Sequence, residues 1–135
     1  MNIHYYFDTS IWLDIFEKRG RNGESAERLM EKILLEDNIV VYSEMVVIEL
    51  SNLCYSQEQI HMILTIAKPD HIKRVQVTKA EYRESKHIAK QRGIPAGDAI
   101  HAIIARDTES LLVSRDSDFQ KLKDIARVAL PEELI

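Results

Sequence analysis

Four carboxylates in this chain, Asp8, Glu49, Asp98 and Asp116, stand where a fold could gather them. Each has a structural explanation beside the chemical one. Asp8 and Asp116 each follow a short apolar, strand-like run and precede a helical pattern, where Asp caps a helix by accepting hydrogen bonds from its first free amides. Asp98 follows Gly97 and opens an apolar helix, where the helix dipole favours an acid in the first turn. Glu49 is different. On a wheel advancing about 100° per residue it falls between Met45 and Leu53, with Val46 adjacent, inside the apolar face of its helix. A carboxylate there must pair, protonate or bind a cation, and a salt bridge to Arg or Lys explains it as well as a bound ion does.

If the four converge they repel, a pair about 4 Å apart costing about 4 kcal/mol at an effective dielectric of about 20. A divalent cation relieves that repulsion. Hard oxygen ligands suit Mg²⁺ or Mn²⁺, and one or two such ions can activate water and stabilise the leaving oxygen of a phosphodiester. The chemistry so defined is phosphodiester hydrolysis. Spacing along the chain does not itself bring the four side chains together. His101 shares a helix face with Asp98 but, flanked by small apolar residues, reads as a packed, hydrogen-bonded histidine rather than a ligand.

The elements that must position these acids follow from periodicity. Ile3 to Phe7 is β-branched and aromatic and stops at Asp8-Thr9-Ser10, a cap cluster, so it reads as a strand feeding a helix through Phe16. Lys18 to Gly23 reads as a basic turn before a helix from Glu24 to Glu36. Asn38 to Tyr42 reads as a strand, and Ser43 caps a helix running through Cys54, with that cysteine in its core. Helix is expected again over Gln57 to Ala67, strand over Ile72 to Val77, and a charged helix over Lys79 to Gln91, broken by Gly93-Ile-Pro-Ala-Gly97. Asp98 to Arg106 is apolar on most sides and reads as a buried helix. A strand over Leu111 to Val113, a last helix and a short strand over Ala126 to Val128 close the pattern. Strands alternating with helices predict an α/β fold with a mainly parallel sheet, whose ligands sit beyond the carboxyl ends of the strands.

At 135 residues, without repeats or a Gly/Pro-rich linker, the chain reads as one domain, residues 1–135. Its longest apolar runs fall far short of the roughly 20 residues a membrane span needs. The N-terminus lacks the features of a secretory signal, so a cytoplasmic location is expected. One cysteine excludes a Cys-rich zinc site. The net charge of −4 opposes nucleic-acid binding by bulk electrostatics, although carboxylates gathered on divalent ions would offset it locally.

Together, Phe7-Asp-Thr-Ser-Ile-Trp-Leu13, Val46-Val-Ile-Glu-Leu50, Ala96-Gly-Asp-Ala-Ile-His-Ala102 and Val113-Ser-Arg-Asp-Ser-Asp-Phe119 resemble the four PIN-domain motifs in their usual order, over nearly the whole chain. The resemblance implies a three-layer α/β/α sandwich around a mainly parallel sheet, with Asp8, Glu49, Asp98 and Asp116 as catalytic, metal-holding acids and Asp118 as an additional candidate. Ser10 and Ser114 are implied as polar supports. It further implies an Mg²⁺- or Mn²⁺-dependent endoribonuclease, most similar to VapC-type toxins, which act as homodimers held in check by a small antitoxin. Arg115, Arg19 and Arg21 are the expected RNA phosphate contacts. The alternative is a non-catalytic PIN-like module that binds RNA or protein. A haloacid-dehalogenase-type phosphatase would need an acid where Ser10 stands, and no Gly-x-x-x-x-Gly-Lys-Ser/Thr loop supports a nucleotide switch.

Overall fold

The computed structural model describes residues 2–67 and 69–135. Five parallel strands form one sheet in the order β3-β2-β1-β4-β5, with β1 His4–Phe7, β2 Ile39–Ser43, β3 Ile72–Val75, β4 Ser110–Val113 and β5 Val128–Ala129. The α-helices are α1 Thr9–Phe16, α2 Gly20–Leu35, α3 Glu44–Asn52, α4 Gln57–Leu64, α5 Lys79–Arg92 and α6 Ala96–Asp107. The predicted α/β/α sandwich is therefore observed.

Alternation along β1 builds both layers. Tyr5 and Phe7 enter a core with Ile11, Trp12, Leu29, Ile33 and Ile63 from α1, α2 and α4. Tyr6 points to the opposite face, among Ile88, Ile100, Ile103 and Phe119, where α5 and α6 pack. Because β1 is central and buried on both faces, the residue that follows it, Asp8, emerges at the middle of the sheet's carboxyl edge. The backbone holds it there, since Asp8 N donates to Val113 O at 3.1 Å.

Several boundaries differ from the sequence reading, among them the end of α4 at Leu64 rather than Ala67 and the last strand at Val128–Ala129 rather than Ala126 to Val128. The helix expected from Glu24 begins at Gly20 and absorbs the basic turn. Gly23 permits this, because a Cβ there would come within 2.6 Å of the Asp14 carbonyl oxygen. The helix expected to contain Cys54 ends at Asn52, and Cys54 is exposed in the left-handed region at φ 70°. Cys54 N donates to Ser51 O and Tyr55 N to Leu50 O, which closes α3 in a Schellman turn. The strand expected through Val77 stops at Val75, where Val77 N turns to the side chain of Glu44. The last helix is a 3-10 segment, Ser117–Leu122. Among the described residues no helix is long and apolar enough to cross a membrane.

Candidate functional site

The carboxyl ends of β1 and β4 and the starts of α1 and α6 place acids at one edge of the sheet. Asp8 is 7% exposed, and its carboxylate does not cap α1. Instead Ser10 and Ser114 each donate a hydroxyl hydrogen bond to Asp8 Oδ2 at 3.0 Å, so both expected supports orient it. Ser114 Oγ also accepts from Asp116 N at 3.0 Å, tying the two strand ends together. Burial raises the Asp8 pKa, against the lowering effect of His101 and the two serines.

Glu49 reaches in from α3 with its side chain about a quarter exposed. Among the described residues its partner is neither Arg nor Lys. His101 Nε2 lies 2.5 Å and Thr9 Oγ1 2.6 Å from Glu49 Oε1, both donating to it. Burial works against the Glu49 charge, yet these bonds and the charge of His101 hold its pKa below the usual carboxylate value. For His101 burial likewise disfavours the cation, but the bond and charge of Glu49, with Asp8 and Asp98, raise its pKa.

Asp98 sits in the first turn of α6, 9% exposed. Burial first, then the charges of Asp116 and Asp8, raise its pKa to about 7. Its Oδ2 is buried without a hydrogen-bond partner among the described residues. Asp116 is exposed and caps the 3-10 segment by accepting from Asp118 N at 2.9 Å. Both acids of this Asp-x-Asp pair nevertheless face Asp98.

The acids therefore form two adjoining groups, Asp8 and Glu49 beside His101, and Asp98 with Asp116 and Asp118, in each of which one polar side-chain atom per residue lies within 4.8 Å of the others. A divalent cation fits this donor set: the oxygens are hard, the buried Asp98 Oδ2 lacks a partner, and added positive charge would offset the mutual repulsion that raises the Asp98 pKa. A cavity of about 750 Å³ opens beside Asp8, Glu49 and Asp116, with Arg19, Asn22 and Arg115 on its rim. Both arginines face Asp14, Arg19 at 3.7 Å and Arg115 at 3.6 Å, and Arg115 also pairs with Glu132. Arg21 is exposed on α2.

Sequence reasoning set aside His101 and did not single out Thr9 or Tyr6. The available signals were position: Thr9 adjoins Asp8, and His101 lies one turn beyond Asp98. That His101 meets Glu49 depends on the crossing of α3 over α6.

The sequence profile of the PIN domain matches residues 5–125. No curated protein matches the chain by sequence. Among solved structures, VapBC2 from Rickettsia felis, bound to a DNA fragment from its promoter, is similar at a TM-score of 0.70 and 20% identity, covering 95% of this chain and 98% of that one. VapBC-1 from nontypeable Haemophilus influenzae is similar at 0.66 and 15% identity, covering 96% and 98%. FitAcB from Neisseria gonorrhoeae follows at 0.59 and 20%, covering 94% and 97%. At these identities the likeness is one of fold.

Proposed function

The chain belongs to the PIN domain family, and on that premise we propose that it is a cytoplasmic, metal-dependent endoribonuclease that hydrolyses RNA phosphodiester bonds. The observation that carries this reading is the convergence of Asp8, Glu49, Asp98, Asp116 and Asp118 beside a substrate-sized cavity, with an orphaned carboxylate oxygen among them. Asp8, Glu49, Asp98 and Asp116 would hold Mg²⁺ or Mn²⁺, with Asp118 as a further ligand. When bound, such an ion supplies Lewis-acid activation of water and charge stabilisation at the phosphoryl oxygens.

The chain's own residues do the rest. Ser10 and Ser114 fix the Asp8 rotamer, and Thr9 and His101 fix that of Glu49. Arg19 and Arg115 on the rim suit backbone phosphates. Their contacts with Asp14 are long, at 3.7 and 3.6 Å, and leave other guanidinium N–H groups for a phosphate. Arg21, exposed beside Asn22 on α2, is proposed as a further phosphate contact.

The likeness to VapBC2 and VapBC-1 supports a further reading, that this chain is a toxin neutralised by a small antitoxin, and we propose that it acts as a homodimer. The nuclease reading is tested with wild type and Asp8→Asn, purified identically, on a pool of labelled RNAs including transfer RNA. Cleavage should need Mg²⁺ or Mn²⁺, stop with chelator, and fall on the order of 100-fold or more in the variant. Metal-independent cleavage, or equal cleavage by both proteins, contradicts it. Stable metal and RNA binding without cleavage would select the non-catalytic module instead.

A further inference from the structure

We propose that His101 and Tyr6 form a buried positioning relay that aims Glu49 at a divalent cation, and that His101 is a hydrogen-bond donor to this site rather than a ligand in it. The proposal rests on reading the acids as a metal-dependent nuclease centre.

His101 is fully buried on α6 and Tyr6 is fully buried on β1, so water does not compete for their polar atoms. His101 Nδ1 lies 2.7 Å from Tyr6 Oη, and Tyr6 Oη lies 2.7 Å from Ser43 Oγ. At the other ring nitrogen stands Glu49 Oε1, 2.5 Å away. An ionised carboxylate only accepts, so Nε2 carries a proton, and a protonated nitrogen has no lone pair left for a metal. His101 therefore presents to the acids an N–H and no ligand atom.

The polarity of the chain agrees. With a neutral ring, Ser43 donates to Tyr6, Tyr6 donates to His101 Nδ1, and His101 Nε2 donates to Glu49, so every proton has an acceptor. Ser43 Oγ in turn accepts from Met45 N at 3.2 Å, which anchors the chain to the start of α3, the helix that carries Glu49. A second ring proton would turn Tyr6 around and leave the Ser43 hydroxyl without an acceptor among the described residues. Nε2 is protonated in either case, so its role toward Glu49 does not depend on the ring's charge.

The consequence falls on the two oxygens of Glu49. Thr9 and His101 both bind Oε1, and Oε2 lies on the side of Gly97, where a Cβ would come within 2.9 Å of it. The carboxylate is thus held by one oxygen and leaves the other for a cation. Donors of this kind fix the orientation of a ligand, and their loss weakens metal affinity by about 10- to 100-fold.

The test compares full-length wild type, His101→Gln, His101→Asn and Tyr6→Phe. Mn²⁺ affinity is measured by calorimetry, thermal stability in chelator, and the ring nitrogens of His101 by ¹⁵N NMR on metal-free protein. The Gln amide nitrogen reaches the place of Nε2, whereas Asn reaches only that of Nδ1. His101→Gln should keep Mn²⁺ affinity near wild type, and His101→Asn should lose about 10- to 100-fold. A purely structural histidine would make both variants lose stability alike with equal Mn²⁺ affinity, and that result overturns the proposal. In wild type the NMR spectrum should show Nε2 protonated, with a ring shift in Tyr6→Phe; an unprotonated Nε2 overturns it without any variant having to fold. Wild type that binds no Mn²⁺ removes the nuclease reading and the relay's role toward a cation together. Intact Mn²⁺ binding with an unprotonated Nε2 removes the relay alone.

Discussion

At its carboxyl end α6 carries Arg106, which forks across Glu84 at 2.7 and 2.8 Å and donates from Nε to Asp107 at 2.8 Å. At its amino end, about two turns away, Asp98 faces Asp8, Asp116 and Asp118. The Arg106 bond lowers the Glu84 pKa, and Asp107 is lowered too, against its own partial burial, by Arg106 and Glu81. Asp98 is instead raised to about 7 by burial and by its acidic neighbours. The same residue type on one helix is thus settled at one end and frustrated at the other. Acids beside arginine stabilise a surface. Acids gathered beside other acids, with a histidine that donates to one of them, carry a cost that a bound cation would offset, and such concentrated strain marks functional sites.

Predictions that sharpen this contrast can be ranked by size. Gly97→Ala should cut RNA cleavage on the order of 100-fold by displacing Glu49 Oε2, which a Cβ would approach to 2.9 Å. Alanine is the better helix former, so the melting temperature in chelator should hold or rise. A parallel loss of both would mean that the site and the fold are not separable at this position.

Asp98→Asn should next stabilise the metal-free protein by ~1–3 kcal/mol at pH 8. The sign follows from proton binding. The folded Asp98 carboxyl holds its proton up to about pH 7, while its ordinary value is 3.8, so the native state binds more protons between those values. Stability therefore falls as pH rises through that window, with the full penalty present above it. Urea melts of both proteins in chelator from pH 4 to 8 should show the slope in wild type and its reduction in the variant. Equal slopes would place the burden on another group.

The smallest effect belongs to the other end of the helix. Arg106→Ala should cost under about 1 kcal/mol, because its partners are screened by solvent, and should leave cleavage unchanged. A large loss of cleavage there would break the contrast between the two ends.

Much of the fold was legible because its signals are local. The β-branched and aromatic run Ile3 to Phe7, the cap at Ser43, and the glycine break at Gly93 where α5 closes are decided within a few residues. The reading failed where closure is decided by packing or by the turn itself. α2 starts early because Gly23 admits the Asp14 carbonyl, and α3 ends before Cys54 because the chain turns left-handed there. The site was legible as a set of acids and not as a geometry. Asp8 was expected to cap a helix or serve chemistry, and its side chain leaves the cap unmade and takes two serines instead. Glu49 was expected to need a partner, and the sequence offered arginine, lysine or a cation.

By itself, then, the sequence determined which residue types recur at which period, hence strands, helices, a parallel sheet and a set of carboxylates at strand ends and on an apolar face. The tertiary structure decided that Asp8 and Glu49 adjoin His101, that Asp98 adjoins Asp116 and Asp118, and that Tyr6 stands behind the histidine. The reason is range. Secondary structure is fixed by hydrogen bonds and side-chain periods spanning a few residues. A site of this kind is fixed by contacts between residues far apart in the chain, 40 positions for Thr9 and Glu49 and 106 for Ser114 and Asp8, and those distances exist only once the layers have packed.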